Sequence, residues 1–253
     1  AARPSALISY AARLNFVIEK MLEPAKLFSD SGYFVYTKDR IKTIIDVAKV
    51  GPDYLPGHAH ADTLSFELYV DGFPVFVNLG TSCYGDGERR FYERSTKAHN
   101  TLEINGQNSS EIWGGFRVAR RVCPKKIKLS IAPKQFIIEG SYPDYHYKLF
   151  RTIHRRQWIF DESFLKITDE IFGNYSSALL MLHVHPSCRI NISKGMVKID
   201  LPNKKAITFN YGLNEENLKT INTSYANNFG ELIPAKSIYI KCDNLNTFKI
   251  SLL

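Results

Sequence analysis

The chain has 253 residues, of which 44% are hydrophobic, and this composition excludes a wholly disordered protein. Lysine and arginine (33) outnumber aspartate and glutamate (25), giving a formal charge of +8. No apolar run approaches the roughly 18 residues of a membrane-spanning helix, so no transmembrane segment is predicted. A basic surface favours an anionic partner, although basic residues also simply solvate sheet surfaces. With no nucleic-acid-binding motif and no concentrated basic run, we favour an acidic glycan over nucleic acid.

The first predicted element is a helix near the start of the chain. Ser5, which follows Pro4, can cap its N-terminus, and apolar residues recur at helical spacing from Leu7 to Leu22. Pro24 ends the pattern, because proline does not continue a helix. No other segment shows a convincing helical pattern.

From Tyr33 onward, short runs of β-branched and aromatic residues alternate with Gly, Pro, Asn and Asp. Asp71-Gly72 and Asn105-Gly106 are the clearest turn pairs. So many short strands predict an all-β fold, a multi-stranded antiparallel β-sandwich with a short N-terminal helix. The more polar residues 194–228 are interpreted as outer strands and loops. The predicted strands are 33–36, 41–48, 64–70, 73–79, 100–104, 116–122, 127–132, 135–139, 145–152, 157–160, 164–170, 178–184, 197–201, 206–211, 237–242 and 248–252.

A histidine-bearing stretch, residues 57–113, carries the strongest functional signal. If a strand already runs through His58-Ala59-His60, the two imidazoles share a face, because side chains alternate along a strand. The Asp71-Gly72 turn would then bring Asn78 back beside them, and His99 opens a further predicted strand. Two histidines and an amide oxygen converging from three strands form a plausible divalent-metal set. The alternative is a hydrogen-bonded histidine pair, with Asn78 bracing a loop.

Five separated motifs in this stretch resemble, in order and spacing, those of the heparinase II/III-like polysaccharide lyases. The resemblance covers roughly residue 31 to the C-terminus and is densest over residues 51–122. Residues 109–120 further resemble a branch of the family that is encoded with bacterial surface-polysaccharide assembly enzymes. The five motifs are residues 57–62, 78–81, 84, 94–96 and 99–101.

The resemblance implies the C-terminal β domain of a longer lyase. Residues 1–30 would be the linker from, or the tail of, an upstream α-helical toroid, and residues 31–253 the antiparallel β-sandwich. The expected function is β-elimination on a polysaccharide that contains uronic acid. This domain would form one wall of the cleft and show little or no activity without the helical domain. The same branch of the family implies a periplasmic or secreted bacterial protein.

The resemblance also assigns roles to single residues. The family's histidine at the position of His58 acts at the reacting sugar, as a base or by neutralising the carboxylate. A tyrosine at the position of Tyr84 serves as acid or base. His60 and His99 match zinc ligands, which implies a structural Zn²⁺ held by His60, Asn78 and His99. The family usually has aspartate where this chain has Asn78, and an amide oxygen is the poorer zinc ligand.

Arginine and aromatic side chains near these motifs suit an acidic sugar. A guanidinium fork binds carboxylate or sulfate, and an indole face suits a sugar ring. We therefore predict substrate contacts from Arg94, Trp113 and Arg117. For each single arginine the alternative is a solvated side chain paired with a nearby glutamate.

Two other functions compete with the lyase. A non-catalytic carbohydrate-binding or scaffolding β-sandwich in bacterial surface-polysaccharide metabolism is favoured by Asn78. A cupin-like metal enzyme also begins with His-x-His, but Glu67 is an odd number of residues past His60 and would point to the opposite face. The second His-x-His, at His183 and His185, is interpreted as structural. The four cysteines lack a paired metal-binding spacing, and their disulfide state is left open.

Overall fold

The structure is a computed structural model that describes residues 4–17, 23–132, 135–144, 151–161, 163–193, 195–210 and 215–252. These residues form two large antiparallel sheets, a two-stranded ribbon, two α-helices and three 3₁₀ turns. The helices are α1 (Pro4–Arg13) and α2 (Glu88–Arg94), and the 3₁₀ turns are Pro56–His58, Thr96–Ala98 and Glu215–Asn217.

The first sheet has nine strands, eight of them on one continuous path. In spatial order these eight are β1 (Ala25–Phe28), β2 (Tyr33–Lys38), β3 (Ile41–Asp46), β4 (Phe66–Val70), β5 (Phe73–Phe76), β13 (Ala178–Val184), β18 (Glu231–Lys241) and β17 (Leu218–Asn228). The ninth, β6 (Leu102–Ile104), pairs with β13 beside this path.

The second sheet has eight strands, and the ribbon lies outside both sheets. In spatial order the eight are β14 (Arg189–Ser193), β15 (Met196–Asp200), β16 (Ala206–Asn210), β19 (Leu245–Leu252), β12 (Phe164–Phe172), β11 (Ile153–Phe160), β10 (Gln135–Pro143) and β9 (Lys125–Ala132). The ribbon pairs β7 (Ile112–Trp113) with β8 (Arg117–Val118).

The hydrophobic core lies where the two sheets face each other. Along β11 and β12 every second side chain is buried, the period-two pattern of a strand with one face in a core. Rings from opposite sheets meet there: Tyr36 stacks on Phe160 with centroids 4.2 Å apart, and Phe76 meets Phe209 at 6.1 Å. The predicted all-β antiparallel sandwich with a short N-terminal helix is therefore confirmed.

The two predicted turn pairs form as the sequence indicates. Asp71 and Gly72 have φ values of 51° and 81° and join β4 to β5, with Val70 paired to Phe73. Positive φ at both central residues is what a two-residue hairpin turn of the right twist requires. Asn105-Gly106 likewise has positive φ at both residues.

Several predicted elements have different bounds. Helix α1 ends at Arg13, and residues 14–17 are not helical, while residues 18–22 of the predicted helix lie outside the described residues. Helix α2 was not predicted, because one seven-residue helix is too short to show an apolar period. The sheet begins at Ala25, before position 31. Of the predicted strand 145–152, only Arg151 and Thr152 are described, and they precede β11.

Three strands of the two large sheets escaped sequence analysis, namely β1, β14 and β17, and so did the two-residue β7 of the ribbon. Strand β1 has four residues, and β14 and β17 carry mostly exposed, polar side chains. All three are the outermost strands of their sheets. Edge strands are commonly short or polar, which removes the hydrophobic alternation that identifies a strand in a sequence. The interpretation of residues 194–228 as outer strands and loops agrees with β17.

One buried side chain links the second sheet to the loops that carry the histidines. Arg156, on β11, donates hydrogen bonds from Nη1 to the carbonyl oxygens of Leu64 and Asn100, both at 2.9 Å. Leu64 follows the His58-Ala59-His60 triplet, and Asn100 follows His99. The interior of the sandwich therefore fixes the positions of both histidine-bearing segments.

Candidate active site

Helix α2 is held against the loop that precedes it. The Glu93 carboxylate, 4% exposed, accepts hydrogen bonds from the Ser82 amide at 3.0 Å and from the Ser82 hydroxyl. Arg89 donates to the same hydroxyl at 2.6 Å. These contacts fix residues 81–84 relative to the helix, so they also fix the position of Tyr84.

Arg94 joins three segments around the helix. It is fully buried, and it donates to the carbonyl oxygens of Ala59 (3.1 Å), Gly114 (2.8 Å) and Arg117 (3.2 Å). The structure does not support the predicted substrate contact by Arg94, since its nitrogens are committed to the backbone. Its role is to hold the histidine loop and the β7–β8 ribbon together.

The tip of the ribbon lies against the loop before α2. The Gly115 amide donates to Asp86, and its carbonyl accepts from Nε of Arg90 at 3.2 Å. A Cβ on Gly115 would overlap the carbonyl oxygen of Gly85, so this close approach requires glycine. The ribbon and helix α2 thus form one unit.

The histidine triplet lies in a loop, so the condition under which its two imidazoles would share the face of a strand is not met. His58 ends the 3₁₀ turn Pro56–His58, Ala59 is extended, and the next strand starts at Phe66. The loop is fixed at Ala61, whose amide donates to the Arg94 carbonyl at 2.9 Å. As a result His58 is exposed, whereas His60 is partly buried.

His58 and Tyr84, the predicted catalytic pair, lie in one aromatic cluster. Their ring centroids are 5.4 Å apart, edge to face. Phe116 contacts both rings, at 5.9 Å from His58 and 5.5 Å from Tyr84, and Phe229 lies 5.0 Å from Tyr84. Tyr84 is 51% exposed, so the cluster presents an imidazole and a phenol to solvent side by side.

His60 and His99 meet behind this cluster. Nδ1 of His60 lies 3.1 Å from Nε2 of His99, and Nδ1 of His99 lies 2.7 Å from the Ser95 carbonyl oxygen. Nε2 of His60 lies 3.3 Å from Nη1 of Arg90. His99 follows the 3₁₀ turn Thr96–Ala98, and the strand predicted to open at His99 begins at Leu102.

The third predicted ligand, Asn78, is used differently. The side-chain oxygen of Asn78 accepts a hydrogen bond from the backbone N–H of Asn100 at 3.2 Å. The backbone N–H of Asn78 donates to the Glu67 carboxylate at 3.3 Å. Asn78 therefore braces the strand ends beside His99, which is the alternative that the sequence left open. Glu67 also accepts from the Tyr69 hydroxyl at 2.9 Å, which does not fit a cupin-like metal ligand.

The residues present do not fit the expected zinc ion. Among the described residues, no group of three His, Cys, Asp or Glu side chains is arranged to hold a metal. The 3.1 Å spacing of the two imidazoles suits either a hydrogen bond or two ligands of one ion. A guanidinium against the remaining His60 nitrogen favours the hydrogen bond, because arginine only donates and stays charged.

The local electrostatics favour neutral histidines and protonated acids. Burial, the neighbouring His99 and the arginine charges lower the pKa of His60 to about 2, and burial also lowers the pKa of His99. Burial raises the pKa of Asp46 well above its ordinary value, and the charge of Asp62 adds to this effect. Burial raises the pKa of Asp62 as well, against the opposing effect of His99.

Trp113 and Arg117, two predicted substrate-binding residues, are paired on the ribbon. The Arg117 guanidinium lies 4.6 Å from the centre of the Trp113 ring, a cation–π contact. Trp113 is 48% exposed and Arg117 is also exposed. The structure therefore brings them together on the surface of the unit that also carries Phe116.

Sequence analysis missed three residues of this site. No sequence pattern separates Arg90 from the neighbouring arginines, yet it is 1% exposed and its guanidinium lies 5.2 Å from the centre of the Tyr84 ring. Phe116 follows the Gly114-Gly115 pair, and this glycine pair was the available signal for a close approach. Phe229 lies more than a hundred residues further along the chain, beyond the reach of local pattern.

The other histidines that the structure describes, His154, His183 and His185, form hydrogen bonds away from this site. His183 is buried, with Nδ1 2.7 Å from the Ser237 hydroxyl, and Nδ1 of His185 lies 2.8 Å from the Ser187 hydroxyl. His154 is buried, with Nε2 2.6 Å from the carboxylate of Asp169, which also binds Arg156. All four cysteines are free. Neither described helix has the length and apolar character needed to cross a membrane.

The fold and the site define a β-sandwich domain that presents an imidazole, a phenol and an indole above buried guanidinium groups. The chain belongs to the family described as Heparinase II/III-like, C-terminal, whose model matches residues 20–250.

Known proteins agree with this assignment. A curated relative is a heparin-sulfate lyase of Bacteroides stercoris, 26% identical over 179 residues, which are 67% of this chain and 24% of that protein. The crystal structure of a heparan sulfate lyase from Pedobacter heparinus matches with a TM-score of 0.74 at 15% identity, over 97% of this chain and 39% of that one. A heparinase III crystal structure matches with a TM-score of 0.74 at 21% identity, over 93% and 37%. The two structures show a shared fold. The chain spans about two fifths or less of the length of each of these proteins.

Proposed function

We propose that this domain forms one wall of the active cleft of a polysaccharide lyase that acts on a uronic-acid-containing acidic polysaccharide. The observation that carries the proposal is the contact between exposed His58 and Tyr84 above the buried guanidinium of Arg90. Membership of the heparinase family and the lyase activity named for the curated relative support it.

The chemistry requires three parts. A base removes the proton beside the uronate carboxylate, the released electron pair forms the carbon–carbon double bond, and the neighbouring glycosidic oxygen leaves with a proton from an acid. The developing negative charge on the carboxylate must also be stabilised. His58 acts at the reacting sugar as base or as the group that neutralises the carboxylate, and Tyr84 acts as acid or base.

The positive charge behind the rings suits this substrate. Burial lowers the pKa of Arg90, and burial together with Arg90 lowers the pKa of Arg94 to about 10, so both remain charged at neutral pH. Neither forms a salt bridge with a carboxylate among the described residues. Trp113 and Arg117 would bind a neighbouring sugar by stacking and by charge.

The cleft needs a second wall. We infer that an upstream α-helical toroid of the same protein supplies it, together with the other catalytic groups. Residues 1–253 alone are then expected to show little or no lyase activity. Robust cleavage by this piece would contradict the divided site. A bacterial surface polysaccharide as substrate would also place the protein in the periplasm or outside the cell.

The test uses the full-length protein and a panel of heparan sulfate, alginate and bacterial capsular uronates, followed by ultraviolet absorbance of the unsaturated product. His58→Ala is expected to lower kcat/KM by about 10²–10⁴, the usual contribution of a positioned acid or base. Tyr84→Phe, which keeps the ring and removes the hydroxyl, is expected to lower kcat with little change in KM. His185→Ala, at the half-buried histidine of the other His-x-His, is the matched control and should leave kcat/KM unchanged.

A non-catalytic carbohydrate-binding domain is the second candidate, and the exposed Trp113–Arg117 pair favours it. It predicts that the full-length protein binds a glycan from the panel but releases no unsaturated product. It also predicts that His58→Ala leaves binding unchanged while Trp113→Ala weakens it.

A further inference from the structure

The hydrogen positions around His60 follow from its neighbours. Arginine has donors only, so Nε2 of His60, 3.3 Å from Arg90, must accept. A neutral imidazole that accepts at Nε2 carries its hydrogen on Nδ1. That hydrogen points at Nε2 of His99, 3.1 Å away.

The same reasoning extends through His99. Its Nδ1 lies 2.7 Å from the Ser95 carbonyl oxygen, which only accepts, so Nδ1 carries the hydrogen and Nε2 is free to accept from His60. The three hydrogen bonds therefore point the same way: Arg90 donates to His60, His60 donates to His99, and His99 donates to the Ser95 carbonyl. Every ring nitrogen of the two histidines is satisfied.

A metal between the two imidazoles would break this chain. Binding through Nδ1 of His60 would move its hydrogen to Nε2, where it would face an N–H of Arg90, donor against donor. Asn78 contributes no negative charge, and its oxygen already accepts from the Asn100 amide. The ion would also meet a fixed, buried positive charge.

Several contacts fix the position of the Arg90 side chain. Its Nε donates to the Gly115 carbonyl, and the Tyr84 and Phe116 rings lie 5.2 and 5.9 Å from its guanidinium carbon. The charge of Glu93 raises the pKa of Arg90. Glu93 itself accepts a hydrogen bond from Ser82 and forms a salt bridge with Arg89 at 3.5 Å. The guanidinium thus touches both the exposed ring cluster and the histidine pair.

We propose that Arg90 takes the place of a metal ion in this site: it is a positioning residue that orders His60 and His99 by hydrogen bonds and supplies the cation beside them, so the pair binds no zinc. The proposal concerns metal content and histidine order, and it stands or falls separately from the lyase reaction.

The first experiment needs no substitution. The full-length protein is dialysed against excess zinc, passed through gel filtration and analysed by mass spectrometry for metals. We expect far less than one zinc per chain, and a melting temperature that neither zinc nor a chelator changes. Zinc at one per chain that the chelator removes, together with a fall in melting temperature, would overturn the proposal.

The second experiment introduces the family's usual set of zinc ligands, two histidines and a carboxylate. Asn78→Asp supplies the carboxylate and Arg90→Leu removes the cation, and the double variant is expected to retain about one zinc per chain and to melt at a higher temperature with zinc. A folded double variant that stays free of zinc would contradict the assignment of metal exclusion to Arg90 and Asn78. Asn78→Asp with Arg89→Leu is the matched control, because it removes a charge from the same helix away from His60, and it should stay free of zinc.

A spectroscopic readout tests the positioning role itself. With ¹⁵N-labelled histidine, His60 should be protonated at Nδ1 and unprotonated at Nε2, and Arg90→Leu should release this preference while His154 keeps its signal. Protonation of His60 at Nε2 in the unsubstituted protein would refute the hydrogen-bond direction.

Discussion

The molecule buries arginine in two different ways. Arg156, inside the sandwich, is fully buried and forms two hydrogen bonds to the Asp169 carboxylate, at 2.7 and 2.8 Å. Arg90 and Arg94, on α2, are equally buried, but their hydrogen-bond partners are backbone carbonyls, a hydroxyl and an imidazole. One arginine has a counter-ion and the other two have neutral acceptors.

The difference separates a structural cluster from the one to which we assign a function. Burial alone would raise the pKa of Asp169, but the Arg156 charge and the hydrogen bond from His154 hold that pKa below its usual range. Arg156 and Asp169 are therefore both charged, and their two charges cancel. Burying a cation without an anion is costly, and a fold retains it where the charge has a use. Arg90 lies against the exposed rings, where the proposed acidic sugar would add the negative charge of its carboxylate.

The largest effect on stability is expected from removing the anion of the buried Arg156–Asp169 pair. Asp169→Asn leaves the Arg156 cation buried without a counter-ion, and it should lower the free energy of unfolding by about 3–5 kcal/mol. The midpoint of denaturant unfolding measures this. Glu170→Gln is the matched control: its partner Arg155 is partly exposed, so the loss should stay below about 1 kcal/mol. Equal losses in the two variants would mean that the buried pair has no special role.

Removing a cation that has no counter-ion should cost less. Arg94→Met deletes hydrogen bonds to the carbonyls of Ala59, Gly114 and Arg117, but it leaves no charge unpaired. We expect a loss of about 1–3 kcal/mol, the cost of buried groups left without partners, measured by the same unfolding midpoint. A loss as large as that of Asp169→Asn would show that Arg94 is paired with an anion in solution, and the contrast between the two clusters would fail.

A smaller effect is expected where the charge meets solvent. Arg117→Gln removes an exposed guanidinium that lies against the Trp113 ring and forms no salt bridge with any described residue, so it should raise KM for an acidic polysaccharide about two- to fivefold, with kcat unchanged. The effect should shrink as salt is added, because exposed charges are screened. Arg120→Gln is the control, since Arg120 is paired with Glu111 at 2.7 Å. A fall in kcat would place Arg117 in the reaction itself.

The sequence predicts the sandwich well because its signals are local. Alternating burial along β11 and β12, and turn pairs such as Asp71-Gly72, depend on a few neighbouring residues each. The charge contrast depends on which side chains meet across the fold, and no local pattern distinguishes Arg90 from Arg89. Spacing placed His58 and His60 on one face, but the 3₁₀ turn directs the first outward and the second inward. The short helix α2, which builds the site, has no period to detect.

The smallest effect tests whether acids near the histidine loop cancel the arginine charge. Because the pKa of Asp46 is raised in the folded state, its contribution to stability is fully present below the unfolded pKa of about 3.9 and is lost as pH rises through the folded pKa. Asp46→Asn lacks this loss, so relative to the unsubstituted protein it should gain stability between acidic and neutral pH, measured by unfolding midpoints. A flat difference for Asp46→Asn would mean that Asp46 ionises as freely in the fold as in water. Its anion would then lie close to Asp62, in the loop that Arg94 holds, and the positive charge assigned to the site would be partly cancelled from within the protein.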